Sequence, residues 1–237
     1  MTESQPTRWR RVSRCLIPDA PPSAEIRMDA AQARALMRRH GAWMCRWTHG
    51  FDRASAPEGW FVVREGDAGL EGLSRSTRSK VRRALRRCEY RLTFSEGGVE
   101  RWEILARDTG RPVGFAENRV YGDREVFYDR FGARRDALRG YYPLYGLIHT
   151  MNRHYLGERG MARVSDGFRT MRERSGVQEF LIGRFGFRRA GCDVELVYRP
   201  WFGILVRMLW AVRGVLPPGA LRALARQHGL YGRKKIC

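Results

Sequence analysis

Residues 102–131 contain three strand-like runs joined by two short turns, and this pattern limits the fold more than any other part of the chain. The runs are residues 102–107, 112–121 and 124–131, and the turns are residues 108–111 and 122–123. Short turns that contain Gly and Asp join neighbouring antiparallel strands. The pattern therefore predicts a hairpin that is followed by a third antiparallel strand.

Two helices and two further strands are predicted after these three strands. Residues 143–155 place Pro in the first turn of an apolar-striped helix, and residues 161–166 form a short strand. A second helix, residues 175–186, opens with a Ser-x-x-Gln capping box, and residues 193–198 form the last strand. The order of three antiparallel strands, helix, strand, helix, strand predicts an α+β domain.

The segment before these strands holds one more capped helix and two strands. Asp29 and Gln32 have the spacing of a capping box, and the helix is predicted to stop near Gly41. Residues 42–48 and 60–63 have the composition of strands.

Residues 73–88 form the most unusual segment, a predicted helix with an apolar stripe and a basic face. Its apolar residues recur at helical spacing, while Arg78, Arg82 and Arg86 follow one another at four-residue steps on the opposite side. Eight basic residues against the single acid Glu89 occur between positions 75 and 91. Such a run is either a solvated face or a surface for a polyanion, and we favour the polyanion.

The charge of the whole chain supports that interpretation. Among its 237 residues, 45 are Lys or Arg and 25 are Asp or Glu, which gives a net charge of +20. A charge of this size predicts attraction to nucleic acid, an anionic membrane or a phosphate-rich cofactor. Arginine supplies nearly all of it, either for bidentate phosphate binding or because of genome composition.

Cysteine spacing and the two ends of the chain carry the remaining signals. The five cysteines are far apart and form no zinc-like pattern, so we expect free thiols and no metal. Residues 1–20 are predicted to be a flexible basic leader without a signal peptide, which indicates a cytoplasmic protein. The longest apolar stretch, residues 201–212, contains Arg207 and is shorter than the ~20 residues of a membrane span. The helical extension, residues 201–237, either closes the core as a hairpin or anchors the protein peripherally on anionic lipid at the inner membrane face.

Three motifs in this order resemble a known superfamily. The sequence DTGRPVGF at residues 108–115 is similar to a hairpin of the GNAT acyltransferases, and VQEFLIGRFGFRRA at residues 177–190 is similar to their late helix. The sequence STRSKVRRA at residues 76–84 resembles a helix of the Fem-type aminoacyl and peptidyl transferases. The resemblance implies a GNAT-like, mostly antiparallel central sheet flanked by helices. It would occupy residues 21–200, with the basic helix at residues 73–88 and the core at residues 99–200.

The same resemblance implies a phosphate-bearing donor and an amine acceptor of open identity. GNAT members use acyl-CoA such as acetyl-CoA, whereas Fem-type relatives use aminoacyl-tRNA. Residues 134–146 depart from the pyrophosphate-binding turn of the acetyl-CoA users, so the donor is open between the two classes. We expect the donor to contact Arg78, Arg82, Arg83, Arg86, Arg139, Gly140 and Tyr142.

Acyl transfer to an amine needs a base that frees the amine of its proton. The candidates are Asp166, Glu117 and Glu125, which lie on predicted strands or at their ends. Glu117 and Glu125 could instead pair with arginines, and Asp166 could cap a turn. Two other functions are open: a non-catalytic protein that binds RNA or anionic membrane on a GNAT-like scaffold, and a structural partner in a biosynthetic complex.

Overall fold

The computed structural model describes residues 8–53, 59–66, 69–170, 176–212 and 214, and these residues have a mixed α/β fold. The elements in chain order are β1 (Arg8–Val12), β2 (Cys15–Asp19), α1 (Ala30–Arg39), β3 (Met44–His49), β4 (Gly59–Glu65), α2 (Arg75–Arg87), β5 (Cys88–Glu96), β6 (Val99–Ala106), β7 (Pro112–Tyr121), β8 (Glu125–Ala133), α3 (Arg135–Gly140), α4 (Pro143–Asn152), a π-helix (Arg153–Glu158), β9 (Arg163–Thr170), α5 (Gly176–Phe185), β10 (Arg188–Tyr198) and α6 (Pro200–Ala211).

The chain divides into two compact units. The first combines Met1–Gly59 with Gly191–Cys237, and the second is Trp60–Ala190. The predicted domain of residues 21–200 therefore contributes to both units. Ser175 of the predicted second capping box and the end of the predicted extension, from residue 215 onward, lie outside the described residues.

The first unit is built on strands β1, β2, β3 and β10. β1 pairs antiparallel with β2, β2 runs parallel to β3, and β10 pairs antiparallel with β3. The predicted capping box of α1 is confirmed, because Asp29 Oδ1 accepts from the Gln32 amide at 2.8 Å and Gln32 Oε1 accepts from the Asp29 amide at 2.9 Å. Met37 of α1 is fully buried in a core that includes Trp47 of β3.

Residues 8–19 differ from the flexible leader that the sequence predicts. They form the hairpin of β1 and β2, which pairs Val12 with Cys15 at its tip. Leu16 is fully buried, whereas the remaining residues of the two strands are exposed or half-buried. With one core residue and several arginines, this hairpin has no alternation by which the sequence could reveal it.

The second unit contains a sheet with the strand order β4-β9-β8-β7-β6-β5. The predicted antiparallel neighbours are confirmed, since β6 pairs with β7 and β7 with β8. The sheet is mixed rather than mainly antiparallel as predicted, because β8 runs parallel to β9. This parallel pair follows from the helical connection between the two strands, which returns the chain to the same end of the sheet.

Helix α2 covers part of this sheet and packs against α4. Ser74 caps α2 by accepting from the Thr77 amide at 3.2 Å, and Arg86 and Arg87 stand in the last turn, where the helix dipole favours cations. Thr77, Val81 and Ala84 form its buried stripe. The basic residues are consequently held on a helix whose other side is fixed in the core.

Two elements of the second unit are absent from the sequence prediction. Strand β5 leads out of α2 without a turn, and beyond Tyr90 its residues are exposed, so no alternation indicates it. Helix α3 has six residues and one buried side chain, Ala137, which is too short for a periodic pattern.

A buried hydrogen-bond network fixes the π-helix on the sheet. The hydroxyl of Tyr155 donates to Glu100 at 2.7 Å and accepts from Trp102 Nε1 at 2.9 Å and from Asn118 Nδ2 at 3.0 Å. Arg159 places a guanidinium nitrogen 2.6 Å from the Glu100 carboxylate. The buried Glu100 carboxylate is thereby both paired and hydrogen-bonded, as a buried charge must be.

Candidate active site

Strands β8 and β9 separate from each other part of the way along the sheet. Their register joins Glu125 with Arg163, Val126 with Val164 and Phe127 with Ser165, where the pairing ends. Beyond that point β8 continues to Ala133 and β9 to Thr170. A gap between the two strands therefore opens after Phe127 and Ser165.

Gly167 provides the backbone that this divergence requires. Its φ of +75° lies in the left-handed region, and a Cβ at this position would stand 2.7 Å from the Phe127 ring. Only glycine combines this conformation with so close a neighbour. Gly167, directly after Asp166, thus marks the point at which the strands part.

Asp166 is the first residue of β9 beyond the paired region. Its side chain is buried, with 8% exposure. Because side chains alternate along a strand, Asp166 lies on the same face as Val164, which belongs to the core that α4 covers. The structure thus places a carboxylate at the start of the gap, on the helix-covered side of the sheet.

A small cavity of about 210 Å³ lies on that side, between the end of β8 and the first turns of three helices. Its lining is almost wholly apolar and comprises Phe131, Leu138, Tyr142, Pro143, Leu144, Tyr145, Gly176, Val177 and Phe180. Drug-sized ligands occupy pockets of roughly 300–1,000 Å³. This cavity therefore suits a short apolar group at the end of a larger ligand.

The first turn of α4 forms one wall of the cavity. Tyr142, the N-cap, has φ of 54° and ψ of 43°, and no side chain caps the helix. The Tyr145 amide donates to the Tyr142 carbonyl at 2.9 Å. The first turn of α4, which carries the positive end of the helix dipole, thus borders the cavity and favours a negatively charged group beside it.

Three basic residues of α2 lie over three tyrosines at the same end of α4, and we call this set the basic seam. The Lys80 ammonium is 3.4 Å from the Tyr145 hydroxyl and 5.0 Å from its ring centroid. The guanidinium of Arg83 stands 5.5 Å from the Tyr142 ring, and that of Arg87 stands 5.6 Å from the ring of the third tyrosine, Tyr141. Tyr142 and Tyr145 thus both contact the cations and line the cavity.

The predicted donor contacts fall into two groups around this seam. Arg83 and Tyr142 belong to it, whereas Arg82 and Arg86 are exposed on the side of α2 that faces away from its buried stripe. Arg78 donates to the carbonyl of Glu71 at 3.2 Å.

Arg139 and Gly140 are the last two residues of α3, and Gly140 stands two residues before the Tyr142 N-cap. Arg139 is exposed, and a Cβ on Gly140 would meet nothing within 4 Å. The two residues therefore border the region of the α4 N-terminus without packing there.

Lys80 and Tyr145 were not among the predicted donor contacts. Lys80, Arg83 and Arg87 recur at steps of three and four, which places them on one helix face. This signal was present in the sequence, but nothing in the sequence indicated that tyrosines lie opposite that face.

Glu117 lies on the other face of the sheet, in a cluster of ion pairs. Its carboxylate is 3.0 Å from Arg101 Nε and 3.1 Å from an Arg130 guanidinium nitrogen. The hydrogen bond from Arg130 and then that from Arg101 hold the pKa of Glu117 below its usual range. A carboxylate with a lowered pKa is a weaker base, so this arrangement fits an ion-paired strand residue.

Glu125 lies at the paired end of β8, away from the gap. It is buried, with 4% exposure, and its carboxylate is 3.6 Å from Arg163, its partner in the strand register. Of the three carboxylates that the sequence suggests, Asp166 alone stands where β8 and β9 begin to separate.

In the part of the chain that the structure describes, no group of three or more His, Cys, Asp or Glu side chains is placed to hold a metal ion. Within the same residues, no helix is both long enough and apolar enough to cross a membrane. The four cysteines that are described, Cys15, Cys45, Cys88 and Cys192, are free thiols.

Comparison with known proteins identifies the fold. No family model and no curated protein matches the sequence. Among solved structures, FemX has 9% sequence identity and a TM-score of 0.54, with 84% of this chain and 85% of FemX aligned. L-PGS from Bacillus licheniformis has 13% identity and a TM-score of 0.49, with 84% of each chain aligned. The resemblance to FemX confirms the expectation from the motifs: the chain has a GNAT-like fold of the Fem type.

Proposed function

We propose that this protein is an acyltransferase that moves an acyl or aminoacyl group from a phosphate-bearing donor to an amine. One observation carries the proposal: the same two side chains, Tyr142 and Tyr145, both line an apolar cavity and contact Lys80 and Arg83. A donor of this kind has a short acyl group beside a polyanionic carrier. The cavity suits the first part and the basic seam suits the second.

The reaction requires the amine nitrogen to attack the acyl carbonyl carbon. A carbon–nitrogen bond forms, the bond from the acyl carbon to the oxygen or sulfur of the carrier breaks, and the amine loses a proton. Asp166 is the carboxylate that we assign to orient the amine and accept this proton, because it lies at the start of the gap between β8 and β9. The carrier leaves with the electrons of the broken bond and takes up a proton.

Two donor classes fit this site. Aminoacyl-tRNA is favoured by the cation–tyrosine stacking of the basic seam, since aromatic rings and arginines bind unpaired bases and phosphates. Acyl-CoA is favoured by the N-terminus of α4, which carries no side-chain cap and can receive a phosphate.

The proposal is tested by donor binding to two matched double variants. Lys80→Gln with Arg83→Gln changes the basic seam, and Arg82→Gln with Arg86→Gln removes the same charge from two exposed positions of α2 outside the seam. Binding of acetyl-CoA and of an aminoacyl-tRNA is measured for each, with melting temperature as the control for folding. We expect the seam variant to weaken binding of the true donor by at least about tenfold, and the control variant by much less.

Equal losses in both variants would mean that α2 attracts polyanions without a specific site. A non-catalytic RNA-binding protein is distinguished by turnover. Such a protein binds tRNA whether or not it is aminoacylated and transfers nothing to a panel of amine acceptors. The enzyme discharges the aminoacyl-tRNA or cleaves the acyl-CoA when a suitable amine is present.

A further inference from the structure

Helix α6 presents an unusual apolar surface. Five of its large apolar residues are between 42% and 63% exposed, namely Trp201, Ile204, Leu205, Met208 and the C-cap Val212. These are positions i, i+3, i+4, i+7 and i+11, which together form one continuous stripe along a helix. We call this set the α6 stripe. Contiguous exposed apolar surface of this kind usually marks an interaction site.

The opposite side of α6 explains why the helix stays folded with this stripe outward. Phe202 and Val206 are buried, and Phe202 packs against Trp43 with ring centroids 5.3 Å apart. Arg199, just before the helix, donates to the carbonyl of Met37 at 2.9 Å. The helix is therefore attached to the first unit by one apolar face and presents a second apolar face outward.

A stack of one arginine and two tryptophans stands at the beginning of the stripe. The Arg14 guanidinium is 4.9 Å from the Trp43 ring, and Trp43 meets the Trp201 ring edge-on at 5.2 Å. Both Arg14 and Trp201 are exposed. Indole rings and guanidinium groups beside an apolar face are the side chains that proteins place at the headgroup level of a bilayer.

Charge identifies the partner that fits this surface. Helix α6 contains Arg207 and no acidic residue, and the whole chain has a net charge of +20. A second copy of the chain would bring two strongly positive molecules together, which electrostatic repulsion disfavours. An anionic lipid surface complements both the apolar stripe and the positive charge.

We propose that α6 docks the protein on anionic membranes, lying in the interface with the α6 stripe among the acyl chains. At 12 residues the helix is about 18 Å long, too short to span a bilayer but long enough to lie along its surface. Arg14 and Arg207 bind lipid headgroups, and Trp201 lies at the boundary between headgroups and acyl chains. This surface is independent of the proposed transfer reaction.

The test is flotation of the full chain with vesicles of phosphatidylglycerol and phosphatidylcholine, compared with vesicles of phosphatidylcholine alone. The stripe variant is Ile204→Glu with Met208→Glu. The control is Leu92→Glu with Phe94→Glu, which makes the same charge change at exposed apolar residues of β5. We expect the parent and the control to float with the anionic vesicles, and the stripe variant to bind at least about tenfold more weakly with an unchanged melting temperature.

A second measurement does not depend on the charged variants. Brominated phosphatidylglycerol vesicles should quench tryptophan fluorescence of the parent, and Trp201→Phe should remove a large part of that quenching. Equal binding of the stripe variant and the parent would overturn the proposal, as would equal losses in the stripe variant and the control. The proposal also fails if the parent binds no vesicle, or if the stripe variant only converts a dimer into a monomer.

Discussion

The ring of Tyr90 lies directly against the backbone of Gly146, and it fills the space that a side chain at position 146 would occupy. The Tyr90 hydroxyl also donates to the carbonyl of Pro143, the first residue of α4, at 3.2 Å. One residue of β5 therefore fixes the first turns of the helix that carries Tyr142 and Tyr145. Packing between β5 and α4 thus supports the geometry of the candidate site.

We predict that Gly146→Ala destabilises the protein by about 1–3 kcal/mol, the usual range for overpacking a core. The new Cβ would overlap Tyr90, so either the ring or α4 must move. Urea unfolding measures the loss. Gly140→Ala is the matched control, since its Cβ meets nothing within 4 Å, and its stability should stay within about 0.5 kcal/mol of the parent. Equal stability of the two variants would contradict the close packing at Gly146.

Much of the fold could be predicted because the turns and helix caps of several elements are encoded by residues that are close together in the sequence. The turns at residues 108–111 and 122–123 predict the neighbours β6, β7 and β8, and the Asp29 box predicts the start of α1. The β1–β2 hairpin and β5 could not be predicted in this way. Their residues are mostly exposed or half-buried, and their strands are held by backbone pairing, which leaves little trace in the order of side chains.

The candidate site was predictable in its residue types but not in its arrangement. The basic face of α2 and the cluster of tyrosines near position 142 are both evident in the sequence. That Lys80 and Arg83 meet Tyr145 and Tyr142, while Arg82 faces away, depends on how α2 packs on α4. Such packing is set by contacts far apart in the chain, which periodicity alone does not encode.

Glu117 should make the protein less stable as the pH falls into the acidic range. Its pKa is lowered by Arg130 and Arg101, so its ion pairs stabilise the protein above the unfolded pKa of about 4.3, and this stabilisation is lost as pH falls through the lower folded pKa. Glu117→Gln should therefore lose less stability than the parent between pH 6 and pH 3. Melting temperatures across this range provide the measurement, and parallel curves for the two proteins would contradict it.

His149 should make the stability of the protein depend on pH in a higher pH range than Glu117 does. Burial, and then the charges of Arg153 and Arg64, lower the pKa of His149, whereas the unfolded imidazole titrates near ~6.5. As pH falls below about 6.5, the unfolded state gains a proton that the folded state resists, so the protein becomes less stable. His149→Gln should show a smaller drop in melting temperature between pH 7.5 and 5.5. An identical drop would mean that other groups control stability in this range.

The cavity should limit the acyl group. Val177 lines it and is 41% exposed, so Val177→Trp can fill the space without disturbing the core. We expect donor turnover to fall by at least about tenfold while the melting temperature is retained. Val12→Trp, at an exposed valine of β1, is the control and should keep parental turnover. Parental turnover in Val177→Trp would place the acyl group elsewhere.

Asp166 is the residue to which we assign catalysis, and replacing it should lower turnover without lowering the stability of the fold. The residue begins the diverging part of β9 and is buried on the side of the sheet that α4 covers. Loss of a general base lowers the rate by about 10²–10⁴-fold, so Asp166→Asn should bind donor normally while turnover collapses by that factor. The pH–rate profile should lose its acidic limb, a change that a turn-capping role would not produce. Glu117→Gln, at an ion-paired carboxylate on the other face of the sheet, should retain turnover. If Asp166→Asn melts at a lower temperature yet turns over normally per folded molecule, Asp166 only supports the turn at Gly167, and transfer depends on positioning of the amine alone.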